Sequence, residues 1–190
     1  MSFFAFGANA VTVGGPVINP ANNHTYYLLE ADTWTGSQAS AQTLGGSLVT
    51  INDQAENDFV LNTFGATRHL WLGFNDAALE GDFVWANGET SSFTNWVAGE
   101  PNNAKRIHFG YTEEDYTMMW AAGTKAGSHF GGGWNDYGNV STMNWAPVAG
   151  GIYGVVEIAT VPVPAAGLLL GSVLGLGGLF GARKSRGNVA

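Results

Sequence analysis

Helix signals occur in only two places in this chain, close together and toward its start. Thr35-Gly36-Ser37-Gln38 has the spacing of a capping box, a hydroxyl with Gln three residues on. Ala39, Ala41 and Leu44 follow and Gly45-Gly46 stops the run, which predicts a helix over Thr35–Leu44. Asn52 or Asp53 can cap a second helix from Gln54 to Phe64, with Ala55, Phe59 and Asn62–Thr63 on one face and Val60 and Phe64 beside it, before Gly65 ends it. The remaining ordered pieces are short and strand-like: Tyr26–Glu30, Leu48–Ile51, Leu70–Phe74, Phe83–Trp85 with a hairpin signal at Asn87-Gly88, Tyr116–Trp120 and Gly151–Ile158. Two helices segregated early among short strands predict an α+β domain.

The longest stretch without such a signal, Trp96 to Asn139, carries the chemistry. It opens with Gly99-Glu100-Pro101-Asn102, closes with Gly133-Trp134-Asn135-Asp136 and holds Glu113-Glu114-Asp115 between them. These pieces offer carboxylate and amide oxygens, with only scattered imidazoles. Calcium takes such a set, six to eight oxygens at about 2.3–2.6 Å, and tolerates irregular geometry. Zinc or copper would call for Cys or clustered His. Gly110 and Gly131-Gly132-Gly133 read as loop, and binding residues concentrate on loops held by a rigid scaffold. A calcium-binding loop region is therefore expected.

Composition narrows the partners. Seven Trp and eleven Phe within a 45% hydrophobic chain supply a core and argue against wholesale disorder. All fifteen Asp and Glu precede residue 160, against four Lys or Arg there, so the body is strongly acidic and nucleic acid is not expected as a partner. The absence of cysteine rules out disulfides, thiolate metal sites and a Cys nucleophile. His24, His69, His108 and His129 are widely spaced and match no triad or metal pattern. Glu113, Glu114 and Asp115 are adjacent and do not naturally flank a glycosidic bond. No enzymatic activity is expected.

The ends read differently from the body. Phe3, Phe4 and Phe6 before Ala8-Asn9-Ala10 look like the end of a secretory signal, so residues 1–10 are expected to be a signal-peptide remnant. Residues 161–167 read VPVPAAG, an apolar Gly-rich run continues to Phe180, and Arg183-Lys184-Ser185-Arg186 follow. As a helix, residues 165–180 would be about 24 Å long, somewhat short of the ~30 Å hydrocarbon core, and the basic end would stay cytoplasmic. A Pro-containing small-residue motif, a short apolar span and a basic cluster together resemble the PEP-CTERM sorting signal of exported Gram-negative bacterial proteins. Val161, Pro162 and Pro164 carry that motif, with Val163 where Glu is typical. The resemblance implies processing of the 161–190 tail by an exosortase after transient inner-membrane anchoring, and delivery to the outer surface or extracellular matrix.

The body has a resemblance of its own. Leu44-Gly45-Gly46-Ser47-Leu48-Val49-Thr50-Ile51 with Gln54-Ala55-Glu56-Asn57, then Trp71-Leu72-Gly73, Trp85, Glu100-Pro101-Asn102 and Trp134-Asn135-Asp136, resemble the C-type lectin-like domain, in family order over residues 24–158. It implies two short helices packed on small antiparallel sheets with a long calcium-binding loop region, in a domain placed at 22–160, with the first and last strands paired. The family's cysteines would fall at Val156 and Tyr116. Removing disulfides from a small domain typically costs about 2–5 kcal/mol, and apolar packing at those positions is the expected offset.

The resemblance also implies a site. Glu100, Asn102, Glu114, Asn135 and Asp136 become calcium ligands that also hydrogen-bond a sugar, with Glu113 an alternative to Glu114 and Pro101 expected to be cis. Glu–Pro–Asn is the family's order for mannose- and glucose-type glycans, and Gln–Pro–Asp would imply galactose. A glycan or exopolysaccharide is the implied partner, and the rival is a calcium-independent interaction or matrix protein of the same fold. Asp76, Glu80 and Asp115 are candidates for a second calcium, while Lys105, Arg106 and His108, in a longer loop than many relatives have, bear on sugar choice. Trp71, Trp85 and Trp134 are assigned to the core.

Overall fold

The computed structural model describes residues 10–126, 129–143 and 150–160. The sorting tail, with Val161, Pro162 and Pro164, and all of the signal-peptide remnant except Ala10 lie outside the described residues. In chain order the elements begin with β1 (Thr12–Ile18), β2 (Thr25–Ala31), α1 (Trp34–Thr43), β3 (Ser47–Leu48) and α2 (Gln54–Phe64). Next come β4 (His69–Asn75), β5 (Val84–Trp85), a 3-10 turn at Ile107–Phe109, and β6 (Tyr116–Met119). The last are β7 (Lys125–Ala126), β8 (His129–Phe130), β9 (Trp134–Tyr137), β10 (Thr142–Met143) and β11 (Gly150–Ile158).

As expected of the α+β fold, the two helices accompany β-sheet: among the described residues a nine-stranded mixed sheet runs β1-β2-β11-β4-β6-β9, with β3, β5 and β10 on its flanks, and β7 and β8 form a small antiparallel sheet of their own. β11 pairs antiparallel with β2 through Val156↔Tyr27 and Glu157↔Tyr26, so the expected first and last strands do pair. On its other side β11 runs parallel to β4 through Ile152↔His69 and Tyr153↔Leu70. A parallel neighbour needs a crossover, and here it is the long stretch between β4 and β11, which carries β5 to β10 and the oxygen-rich region. The hairpin signal at Asn87-Gly88 yields a turn only, since β5 pairs back onto β4. The sheet also starts earlier than residue 22. β1 pairs with β2 despite register shifts around Gly14-Gly15-Pro16, which break the alternation that would mark a strand.

The helices follow their caps. Asp53 caps α2 by accepting from the Glu56 amide at 2.8 Å. Its buried face is Glu56, Asn57, Val60 and Phe64, whereas Ala55 is exposed. The carboxylate of Glu56 is engaged inward, which turns the helix from the face its apolar residues suggest. At α1 the cap is Thr33, whose hydroxyl accepts from the Gly36 amide at 3.1 Å. Gln38 is therefore no capping partner of Thr35; its side chain bonds the Ser47 hydroxyl and the Leu48 amide and ties α1 to β3.

Packing takes the place of cross-links. Val156 is buried with Leu29 and Ala41, and the Tyr116 ring packs on Trp34 with centroids 4.7 Å apart. Trp71-Leu72-Gly73 also has a direct cause: a Cβ at Gly73 would lie 2.6 Å from the Leu48 carbonyl oxygen. Only glycine lets β4 approach the β3 backbone this closely.

Candidate functional site

The Trp134 motif, expected in a loop, is strand β9. It pairs with β6 in continuous register, Thr117↔Asp136 and Met118↔Asn135 included. Trp134 fixes its inner end: the indole donates to Asn57 Oδ1 at 2.8 Å, and Trp85, Phe93 and Trp96 pack edge-on around it. The segment leading to Glu100 lies alongside, with the Trp134 amide donating to the Asn95 carbonyl at 2.8 Å and the Val97 amide to the Trp134 carbonyl at 3.0 Å. Gly99 then turns with φ near +98°, and the Glu100–Pro101 peptide is cis. Glu100–Asn102 and Asn135–Asp136 are thus carried by neighbouring, mutually bonded segments.

Asp136, 1% exposed, binds this arrangement together. Its carboxylate accepts from the Asn102 amide at 2.9 and 3.1 Å and from the Asn103 amide at 2.7 Å. Glu114 clamps the following loop, accepting from the Ala104 amide at 2.8 Å and the Tyr111 hydroxyl at 2.9 Å. Glu100, Asn102, Glu114 and Asn135 line one cleft of about 310 Å³, and Asp136 is bonded to the Asn102 amide beside them. All five sequence-predicted residues therefore meet. Glu113, the alternative to Glu114, is exposed and does not line the cleft. The Asn102 amide nitrogen contacts the Glu100 carboxylate, and that of Asn135 contacts the Asp136 carbonyl.

Arg106, singled out in the sequence for its place in the longer loop, also lines the cleft, whereas sequence reasoning missed the rest of the lining: Phe109, Trp120 and Tyr137. Trp71, Trp85 and Trp134 are core residues as expected, each no more than 3% exposed. Trp120 is legible in the sequence only as the end of a strand, because what brings it to the cleft is the β6–β9 register. Lys105 is exposed and does not line the cleft.

The electrostatics mark a site for a cation. Burial, then a hydrogen bond to Asp136, then the charges of Asp136 and Glu114 push the Glu100 carboxyl up to about 8. Burial, with Asp136 nearby, raises Glu114 to about 7. Beside it lies a second group: Asp76, Glu80 and Asp115 bring carboxylate oxygens within 4.8 Å of one another. Asp76 is 2% exposed, with Oδ2 accepting from the Gly81 amide at 2.7 Å. Its other oxygen, Oδ1, is buried and has no partner among the described residues. Burial, together with the Glu80 and Asp115 charges, pushes Asp76 up to about 6. Asn103 bridges the groups, its Oδ1 accepting from the Glu114 amide at 2.9 Å while its amide nitrogen contacts Glu80. Crowded carboxylates and an orphaned buried oxygen are what a hard dication would satisfy, so both donor sets fit calcium.

His24 and His69 serve elsewhere. His24 Nδ1 lies 2.6 Å from Glu157 Oε1, and the Ala121 amide donates to His69 Nδ1 at 3.2 Å. Glu157 also accepts from the Thr50 amide at 3.0 Å. The Tyr26 hydroxyl sits between Glu157 at 3.0 Å and Glu56 at 2.5 Å.

A family model for the lectin C-type domain matches residues 30–130. The chain belongs to the C-type lectin domain family. It is 42% identical to Lectin BRA-3 of Megabalanus rosa over 90 residues, which cover 46% of this chain and 55% of that protein. It is 34% identical to the human C-type lectin domain family 17, member A over 120 residues, covering 63% of this chain and 28% of that one. The chain therefore spans about half or less of the length of these relatives. Among solved structures, the cow CD23 C-type carbohydrate-recognition domain, crystallised in the presence of a GlcNAc2Man3 oligosaccharide, superposes with a TM-score of 0.56 at 25% identity, covering 73% of this chain and 89% of that one. The C-type lectin fold of this chain, two helices on a mixed sheet, is thus established by sequence and by shape.

Proposed function

We propose that this C-type lectin domain binds glycans of the mannose or glucose type through calcium held by Glu100, Asn102, Glu114, Asn135 and Asp136. The observation that carries the reading is the convergence of Glu100, Asn102, Glu114 and Asn135 on one cleft, with Asp136 bonded to the Asn102 amide, where Glu100 and Glu114 are pushed up by burial and by neighbouring charge. The names of the relatives support it, as does the oligosaccharide with which the cow CD23 domain was crystallised. Calcium at this position would supply direct coordination for two vicinal sugar hydroxyls. The chain's own part is orientation: Glu100 and Glu114 accept the hydroxyl protons, while the amides of Asn102 and Asn135 donate to the hydroxyl oxygens. Asp136 holds the Glu100–Asn102 segment against β9, so the polar groups are placed before a sugar arrives. Asp76, Glu80 and Asp115, with Asn103, form the place for a second calcium that would stiffen the same loop. The family consists generally of binding proteins, and no catalytic role is proposed. The 161–190 tail is proposed to send the domain to the cell surface or matrix through an exosortase, where many copies would raise avidity for an exopolysaccharide.

Thermal melts in calcium and in chelator test the ion. Binding to the folded state alone must raise the melting temperature, by about 2.7 kcal/mol of stability at a hundredfold excess over Kd. No shift would remove the calcium reading. Retention on immobilised mannan should require calcium and be lost in Asn102→Ala and Asp136→Ala. A calcium shift without retention would leave the matrix-protein reading ahead. For the tail, mass spectrometry of surface-associated protein should find residues beyond about 165 missing, and an intact Ala190 would refute processing.

A further inference from the structure

The loop between Asn102 and Glu114 is the part of the cleft that the five ligand positions do not explain. It is firmly placed. Asn103 and Ala104 are held by Asp136 and Glu114 at its start. At its end Tyr111, 8% exposed, bonds Glu114 and packs its ring on Tyr137 with centroids 5.2 Å apart. A Cβ at Gly138 would lie 2.1 Å from the Tyr111 ring, so the ring is seated on bare backbone. Between these anchors Arg106 pairs with Tyr111 in an isolated bridge, and the Ile107–Phe109 turn closes on Gly110 in a left-handed conformation. The result is a guanidinium delivered to the rim of the cleft.

Arg106 lines the cleft with its side chain 48% exposed. Its ion-pair partner among the described residues is Glu114, with Nε 4.0 Å from Oε1, beyond hydrogen-bond range. Among the described residues the guanidinium donates no hydrogen bond. Glu114 meanwhile has both oxygens engaged by Ala104 and Tyr111. A planar fork with its donors unspent, beside a ligand-holding carboxylate, matches one class of partner: a carboxylate on the bound sugar. Sugar chemistry places such a group well. In a hexuronic acid the C6 carboxylate hangs from the carbon next to the one bearing the 4-hydroxyl, so a sugar docked by its 3- and 4-hydroxyls carries it beside the ion.

We propose that Arg106 makes this site select uronic-acid glycans over their neutral counterparts, an inference that rests on the calcium-dependent sugar reading above. The test is titration calorimetry of the full chain in calcium with glucuronic acid against glucose and mannuronic acid against mannose, pairs that differ only at C6. The acid should bind about five- to tenfold more tightly than its neutral partner, the range between an exposed ion pair and a charge-assisted bond. The ratio should fall as NaCl is raised, since exposed pairs are screened. In Arg106→Gln it should approach one, and Arg106→Lys, which keeps charge but loses the fork, should fall between. An unchanged ratio in Arg106→Gln whose melting temperature still rises with calcium would overturn the role of Arg106 and leave the sugar reading intact. Equal binding of acid and neutral sugar by the natural chain would overturn it without any variant. Binding of neither sugar in calcium would overturn both.

Discussion

Two groups of buried carboxylates in this domain differ in what surrounds them. Glu56 and Glu157 are 5% and 6% exposed, and each has its oxygens met by the protein. Glu56 accepts from Asn22, Tyr26 and the Asn52 amide, and Glu157 is met by His24, Tyr26 and the Thr50 amide. In the cleft group, Glu100, Glu114 and Asp136 face one another, with Arg106 the one cation among the described lining residues. Next to them Asp76 keeps an oxygen with no partner among the described residues, beside Glu80 and Asp115. Burial alone therefore does not mark function. What sets the second group apart is several carboxylates crowded at one cleft and, beside them, a buried Asp76 oxygen without a partner among the described residues, an arrangement that a cation from outside would relieve.

The sharpest break between the groups comes from deleting a member of the internal one. Glu157→Ala strands the His24 ring, the Tyr26 hydroxyl and the Thr50 amide at once and is expected to cost about 3 kcal/mol or more, read as a lower urea midpoint in calcium and in chelator alike. If the loss appears only in calcium, the internal group is not structural.

A middle-sized effect separates the groups by pH. Asp76, Glu114 and Glu100 titrate in the folded protein at about 6, 7 and 8, above ordinary carboxyls. A raised folded value means stability is fully present below the ordinary carboxyl range near 4 and is lost as pH rises through the folded values. In chelator the urea midpoint should therefore fall between about pH 5 and 8, and calcium should flatten that fall by holding the same carboxylates ionised. The slope remaining in calcium belongs to Glu157, raised by its burial. A slope untouched by calcium would place the whole effect there.

The smallest effect has the opposite sign. Glu100→Gln removes one of the facing charges at the partly open rim, so in chelator at pH 8 it should stabilise the protein by up to about 1 kcal/mol, the scale of exposed pairs. The same variant should lose most of its calcium-induced rise in melting temperature. Destabilisation in chelator would mean that Glu100 holds the fold together as Glu157 does.

What is legible in the sequence follows the range of the interactions. The α2 helix, its Asp53 cap and its end at Gly65 are local, and the sequence pattern places all three. The five cleft residues come through a family pattern in which each piece is short. What local pattern does not reach is pairing. Asn135 and Asp136 follow a glycine run and look like turn formers, but β6 across the ladder makes them strand. The Glu157 group joins residues 131 and 133 positions apart, so neither Tyr26 nor His24 carries a local signal for it. Thr33 caps α1 where Thr35 has the better-looking spacing, because Gln38 is engaged by β3.

One bond connects the two carboxylate groups. Asn57, next to Glu56, accepts the indole proton of Trp134, next to Asn135. That hydrogen is a single resonance at the low-field edge of a proton NMR spectrum, midway between the part of the domain that holds it closed and the part that waits for an ion. Its movement during a calcium titration would report how far ligation is felt behind the strand. Its lifetime in deuterated water, compared with and without the ion, would say whether binding tightens the whole barrier to opening or only the rim.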